Sequence, residues 1–172
     1  MARAKPATSQ WSTLLEGLNV VFLEDIELEG DIPQPALIRF LFKHKGLRNI
    51  HIRCDTPPKH TPSQSSRSRR QPFLPNLLSL HAPLAVCCDI ARRLSDSSRL
   101  YELKVEMNRL QLFDPSFRHL LEILRHLQRL DCLGLRFVPD SPSTMLQSYP
   151  SDHDWDKYPA RNLRQIRTLS FF

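Results

Sequence analysis

Charged and histidine residues alternate with apolar residues in several short segments of this sequence, such as LRNIHI at 47–52 and LYELKV at 100–105. Such alternation places the polar side chains together on one face of a β-sheet. The chemistry available to that face is charge pairing and hydrogen bonding, which repeat proteins use to bind partners. The predicted partner-binding residues are Glu27, Glu29, His51, Arg53, His81, Glu102, Lys104, Glu106 and Arg136.

The same residues have an alternative interpretation as a solvated sheet face whose opposite charges pair for stability. Both interpretations predict one arrangement of neighbours across the strands. Glu29 should lie beside Arg53, and Glu106 should lie beside Arg136. His51 should lie beside His81 on the strand that follows it.

Two other groups of residues have the right chemistry for a metal or a nucleophile. The acidic segment SDHDWD contains Asp152, His153, Asp154 and Asp156. Its spacing is not that of an EF-hand, so we interpret it as a solvated loop and predict no metal site. Cys87 and Cys88 lie on a predicted helix without a surrounding Cys-His signature, so we assign them to helix packing.

No motif for nucleotide binding or acyl transfer is present. The chain contains no P-loop, no GxGxxG and no GxSxG. His44, His119 and His126 lie beside basic residues in helical patterns and are predicted to be at the surface. We therefore predict a protein that is not an enzyme and that carries no cofactor.

The elements that position the polar residues share the pattern L-x-x-L-x-L. Imperfect copies begin at Leu23, Leu47, Leu77, Leu100, Leu130 and Ile166. Six copies at spacings of 23–36 residues indicate a repeat architecture. The end of each copy alternates as a short strand does, and its first apolar residue closes the turn before the strand. The predicted core is Leu23, Ile26, Leu28, Leu47, Ile50, Ile52, Leu77, Leu80, Leu100, Leu103, Val105, Leu130, Leu133, Leu135 and Leu169.

Amphipathic helical patterns lie between the strands. In DPSFRHLLEILRHL, Asp114 is a favourable N-cap and Pro115 a favourable first helical residue. One strand and one helix per repeat give a parallel sheet with helices on one side, in which neighbouring units must stack. The predicted fold is an α/β, leucine-rich-repeat-like open solenoid with parallel strands on the concave face and helices on the convex face.

One copy matches the leucine-rich repeat pattern throughout. In LYELKVEMNRL, Asn108 is predicted to satisfy backbone groups where the strand bends away. Together, DIPQPALIRFLFKHKGLRNIHI at 31–52, LPNLLSLHAP at 74–83 and FDPSFRHLLEILRHLQRLDCLGLRF at 113–137 resemble the leucine-rich repeat regions of fungal F-box-type proteins. The resemblance implies recognition of a target protein in a ubiquitin-ligase setting. No F-box is visible, so the ligase adaptor is an expected partner only if an F-box exists outside this chain.

The positive charge is concentrated in one segment. The formal net charge is +6, and residues 56–72 contain four of the basic side chains and no acid. The remainder is close to neutral, so a basic groove for nucleic acid is not indicated. The cysteines form no CxxC pair, and no signal peptide or membrane span is visible. We predict an intracellular protein, cytoplasmic or nuclear, with no membrane partner.

The predicted domain organisation is an N-terminal tail at 1–13 and a repeat domain at 14–172. A disordered Ser/Pro/Arg-rich insertion is expected at 55–73 and a long connection at 139–162. The predicted function is non-catalytic recognition of an unknown target protein. Two alternatives stay open: a truncated structural fragment without independent function, and a nucleic-acid-associated protein that uses the Arg/Ser insertion.

Overall fold

The structure is a computed structural model that describes residues 8–54, 73–108, 111–112, 114–138 and 167–171. Its helices are α1 (Thr8–Gly17), α2 (Gln34–Lys43), α3 (Leu84–Ala91) and α4 (Pro115–Leu124). Its strands are β1 (Asp25–Glu29), β2 (Asn49–Arg53), β3 (Ser79–Pro83), β4 (Glu102–Met107), β5 (Cys132–Phe137) and β6 (Thr168–Phe171). Helices and strands are interspersed along the chain, so the predicted α/β class is confirmed.

The six strands form one parallel sheet whose spatial order follows their order in the chain. Equivalent apolar positions of the repeated pattern are aligned across it. Ile50 pairs with Ile26 on one side and with Leu80 on the other. Leu103 pairs with Leu133 further along the sheet. Strands β1 and β6 lie at the two edges, so the sheet is open, as predicted.

The apolar face of the sheet and the helices share one core. Leu80, Leu103 and Val105 on the central strands are fully buried, and they belong to the same cluster as Ile90 and Leu120 on the helices. Complete burial of such a side chain stabilises the fold by roughly 1.5–3 kcal/mol. The helices therefore cover one face of the sheet and leave the other face to its polar residues.

Most of the predicted core is confirmed, with exceptions near the ends of the sheet. Leu23 and Ile26 are only partly buried, because β1 is an edge strand with one neighbouring strand. The side chain of Leu169 lies outside the described residues. Helix α3 is more deeply buried than a single apolar stripe would suggest, since every residue from Leu84 to Ala91 is buried.

Local sequence signals explain where two of the elements begin and end. Helix α4 starts as predicted, with the Asp114 carboxylate accepting a 2.7 Å hydrogen bond from the backbone N–H of Ser116. After β4, the Asn108 side chain accepts a 2.9 Å hydrogen bond from the backbone N–H of Gln111. The prediction that the Asn108 side chain satisfies a backbone group after the strand is therefore confirmed.

The predicted boundary between tail and domain at residue 13 falls inside a helix. Helix α1 begins at Thr8, and its Trp11 and Leu15 side chains are buried in the core. Gly30, at the end of β1, has a φ of +132°, and a Cβ there would lie 3.4 Å from Nε1 of Trp11. The residues of α1 that precede position 14 therefore belong to the folded domain.

The expected insertion and connection lie almost entirely outside the described residues. The exception is Phe73, which is buried and packs against Phe42 with ring centroids 4.7 Å apart. Its assignment to a disordered segment was wrong, because its ring fills part of the core. None of the helices in the described part of the chain has the length and apolar character needed to cross a membrane.

Candidate functional site

The predicted polar residues lie on the face of the sheet opposite the helices. Their alternation with core residues is the reason, since successive side chains of a strand point to opposite faces. The predicted neighbours are confirmed: Glu29 is aligned with Arg53, and His51 with His81. Glu106 is aligned with Arg136 on the next strand. We call this surface the polar face, formed by the predicted partner-binding residues together with Asp25, Asn49 and Ser79.

Two histidines stack at the centre of the polar face. The rings of His51 and His81 have centroids 4.2 Å apart and planes inclined by 10°. Arg53 donates a 3.1 Å hydrogen bond from Nε to Nε2 of His51. Nδ1 of His51 lies 3.4 Å from the Glu27 carboxylate. These contacts identify Nδ1 as the protonated ring nitrogen of a neutral His51 and Nε2 as the acceptor.

Glu106 is the most deeply buried charged residue of the polar face. Its side chain is only 9% exposed, and its Oε1 lies 3.0 Å from Nη1 of Arg136 and 3.1 Å from Nε2 of His81. The sequence predicted that Glu106 is open to solvent. Its burial was not predicted, because alternation assigns a side chain to one face of the sheet but does not indicate how far neighbouring side chains cover it. The Arg136 ion pair compensates the cost of burying the carboxylate.

The environment of His81 favours its neutral form. Burial is the main cause that lowers the pKa of His81 from 6.5 to about 4, and the nearby His51 and Arg136 lower it further. The Glu106 carboxylate acts in the opposite direction, since it would stabilise an imidazolium. However, Nε2 of His81 is shielded from solvent and forms no hydrogen bond among the described residues, so its 3.1 Å contact with Glu106 is poorly aligned. Burial therefore dominates.

A second set of contacts orders the polar face on β3 and β4. Glu102 accepts a 2.9 Å hydrogen bond from the Ser79 hydroxyl and lies 2.9 Å from Nζ of Lys104. The hydrogen bond from Lys104 is the main cause that lowers the pKa of the Glu102 carboxyl. These contacts orient the Glu102 side chain on the polar face.

The β1 side of the polar face is acidic and open. Asp25, Glu27 and Glu29 are exposed, and Glu27 is the residue that Arg53 contacts, at 3.8 Å. Glu27 lies two residues before Glu29, the residue with which Arg53 is aligned. A shallow depression of about 380 Å³ lies over the first halves of β1, β2 and β3, with Lys104 at its side.

The other candidate residues of the sequence have mainly structural positions. Cys87 and Cys88 are buried, and burial raises the pKa of both thiols, that of Cys88 to about 12. Their predicted role in packing is supported, because a protonated thiol is a poor nucleophile. His44 is buried, stacks on Phe40 and was wrongly predicted at the surface. His119 and His126 are accessible, as predicted.

One group on the polar face has the side chains of a metal site. His51, His81 and Glu106 each offer a donor atom, and these atoms lie within 4.8 Å of one another. The repeat pattern aligns the two histidines but does not indicate this group, because the contribution of Glu106 depends on side-chain conformations. The acidic segment at 152–156 lies outside the described residues.

Comparison with protein-family models, with curated proteins and with solved structures finds no match for this chain.

Proposed function

We propose that this protein recognises another protein on the polar face of its sheet, without catalysing a reaction. The observation that carries the proposal is that helices cover one face, while no element among the described residues covers the other. Repeat proteins with exposed parallel sheets bind partners on such surfaces. The ordered contacts of Glu102 and Glu106 support the proposal, because a pre-organised surface loses little conformational entropy on binding.

The charge of the polar face favours a partner segment with basic side chains. Its carboxylates are Asp25, Glu27, Glu29, Glu102 and Glu106, and its cations are Arg53, Lys104 and Arg136. The acidic excess is concentrated on β1, where Glu27 is 62% exposed. This charge would repel a phosphate backbone, so it disfavours nucleic acid as the occupant of this surface.

Exposed apolar residues next to β1 also suit a protein partner. Val21 is 78% exposed and Phe22 is 90% exposed, and both lie in a turn shortly before β1 begins at Asp25. Large exposed apolar side chains that lie close together are typical of interaction surfaces. An apolar anchor beside an acidic strand matches a basic, amphipathic protein segment.

We further propose that the sheet and its helices are units of a leucine-rich-repeat solenoid with the strands on the concave face. The strand order that follows the chain and the aligned apolar positions support this proposal. Target recognition in a ubiquitin-ligase context is supported by the sequence resemblance alone. Co-purification of the full chain with a ligase adaptor would test that context.

The recognition proposal is tested by charge reversal on the polar face. Proteins captured from cells by wild type are compared with those captured by Glu27→Lys/Glu29→Lys. The control Glu16→Lys/Glu122→Lys makes the same change of charge on exposed residues of helices α1 and α4. We expect a partner that binds wild type and the control but not the polar-face variant.

A partner found in this way must then bind in a purified two-component assay. We expect the polar-face variant to weaken binding at least 10-fold relative to the control, or about 1.4 kcal/mol. Equal affinity of the two variants, or loss of binding only in the control, would contradict the proposal.

A further inference from the structure

We propose that His51, His81 and Glu106 bind one divalent transition-metal ion of zinc type on the polar face. This inference does not rest on the proposed recognition function, because the isolated chain can be tested without a partner. The residues come from the adjacent strands β2, β3 and β4. The backbone ladder between those strands holds their Cα positions in place.

The donor atoms are close enough for side-chain rotations to bring them together around one ion. The three donor atoms lie within 4.8 Å of one another. Ligands at zinc–nitrogen distances near 2.0 Å in a tetrahedron are separated by about 3.3 Å. Closing the remaining gap is within the reach of rotations about side-chain bonds. Two imidazoles and one carboxylate then leave a fourth position for water, a known arrangement for zinc.

One nitrogen of His81 is suited to bind a metal. A metal binds the unprotonated nitrogen of an imidazole. Nε2 of His81 is shielded from solvent and has no hydrogen bond among the described residues. A buried polar atom of this kind calls for a partner, and a metal would supply one.

The surroundings of His51 resemble the outer shell of a zinc site. Its Nδ1 faces the Glu27 carboxylate at 3.4 Å, which leaves Nε2 as the nitrogen with a free electron pair. Metal-binding histidines commonly donate their second nitrogen to a carboxylate in this way. The metal would replace the hydrogen bond that Arg53 now donates to Nε2. The Arg53 side chain is 46% exposed and can turn into solvent.

Metal binding requires the histidine stack to open. A metal lies close to the plane of each imidazole that binds it, so two nearly parallel rings 4.2 Å apart cannot share one ion. His51 is the ring that would turn, since its side chain is 25% exposed and that of His81 is 17% exposed. Glu106 can keep Oε1 on Arg136 and offer its other oxygen to the metal.

The nearby charges do not prevent a cation from binding. Arg53, Lys104 and Arg136 surround the histidines, and each opposes a positive ion. Glu27 and Glu102 lie beside Arg53 and Lys104, respectively. Glu106 itself brings a negative charge to the ion. The carboxylates of the polar face outnumber its cations, so its overall field favours a metal ion.

The test is calorimetric titration of the chelator-treated full chain with zinc chloride. We expect one zinc per chain with a Kd below about 10 µM. His51→Ala, His81→Ala and Glu106→Gln should each weaken zinc binding by more than about 100-fold. Loss of a residue that only supports a metal ligand typically weakens binding by about 10- to 100-fold. His119→Ala and His153→Ala are the matched controls, and neither should change the affinity.

A second readout identifies the ligands. Cobalt(II) bound at the site should show the visible absorption of a tetrahedral complex, and the His51→Ala variant should lose it. Circular dichroism checks that each variant is folded. If Glu106→Gln unfolds, the zinc affinity of His51→Ala tests the proposal, because His51 is more exposed than Glu106. Absence of zinc binding to wild type would overturn the proposal. So would unchanged binding in His51→Ala/His81→Ala, or loss of binding in His153→Ala.

Discussion

Acidification of the metal-free protein should destabilise it through His81. The pKa of His81 is about 4 in the folded chain and 6.5 without its neighbours, mainly because burial disfavours the imidazolium. As the pH falls below 6.5, the unfolded chain takes up a proton that the folded chain does not. Stability is therefore complete above pH 6.5 and declines as the pH falls towards 4.

The size of the effect follows from the two pKa values. At pH 5.5 they correspond to a loss of about 1.4 kcal/mol in the free energy of unfolding. The ring retains 17% of its exposure, and solvent screening reduces the expected loss to about 1 kcal/mol. The charged or titratable groups facing His81 are His51 and Arg53 on β2, Glu102, Lys104 and Glu106 on β4, and Arg136 on β5.

The assay is urea denaturation of wild type and His81→Gln at pH 7.5 and pH 5.5, with a chelator present. Between pH 7.5 and pH 5.5, the free energy of unfolding of wild type should fall by about 1 kcal/mol more than that of His81→Gln, because glutamine does not titrate. Proton NMR of the His81 ring gives its pKa directly. An NMR pKa near 6.5, or the same pH-dependent loss in His81→Gln, would refute the reasoning.

Three further predictions concern stability, each measured by urea denaturation at neutral pH. Leu103→Ala should cost about 2–5 kcal/mol, because this central side chain is fully buried; a loss below about 1 kcal/mol would contradict that position. Gly30→Ala should cost about 1–3 kcal/mol, since a φ of +132° is strained for a residue with a Cβ; an unchanged midpoint would argue against this backbone conformation. Asp114→Ala should cost about 1 kcal/mol through loss of the cap of α4, and Asp114→Asn should restore most of it.

Alternation and helical spacing were sufficient to predict the main elements. The L-x-x-L-x-L copies located β1–β5, and the apolar stripe after Asp114 located α4. These signals are strong because each side chain's face follows from its position within one element. The alignment of Glu106 with Arg136 followed as well, since copies of one pattern pair in the same register.

Helix α1 and Phe73 show where such signals fail. Trp11 and Leu15 are buried, although the predicted start of the domain lies between them. Phe73 ends a Ser/Pro/Arg-rich segment whose composition suggests disorder, yet its ring packs against Phe42. Composition describes the average character of a segment, whereas the burial of one aromatic ring can order the residue that carries it.

The sequence by itself determined the α/β class, the strands and their register, because these depend on short periodic patterns. Only the tertiary structure decided the environment of the polar face. The stacking of His51 on His81 and the burial of Glu106 depend on side chains contributed by three strands. Burial and electrostatic fields are sums over neighbours distant in the chain, so the chemistry of His81 emerges only when β2, β3, β4 and β5 lie side by side.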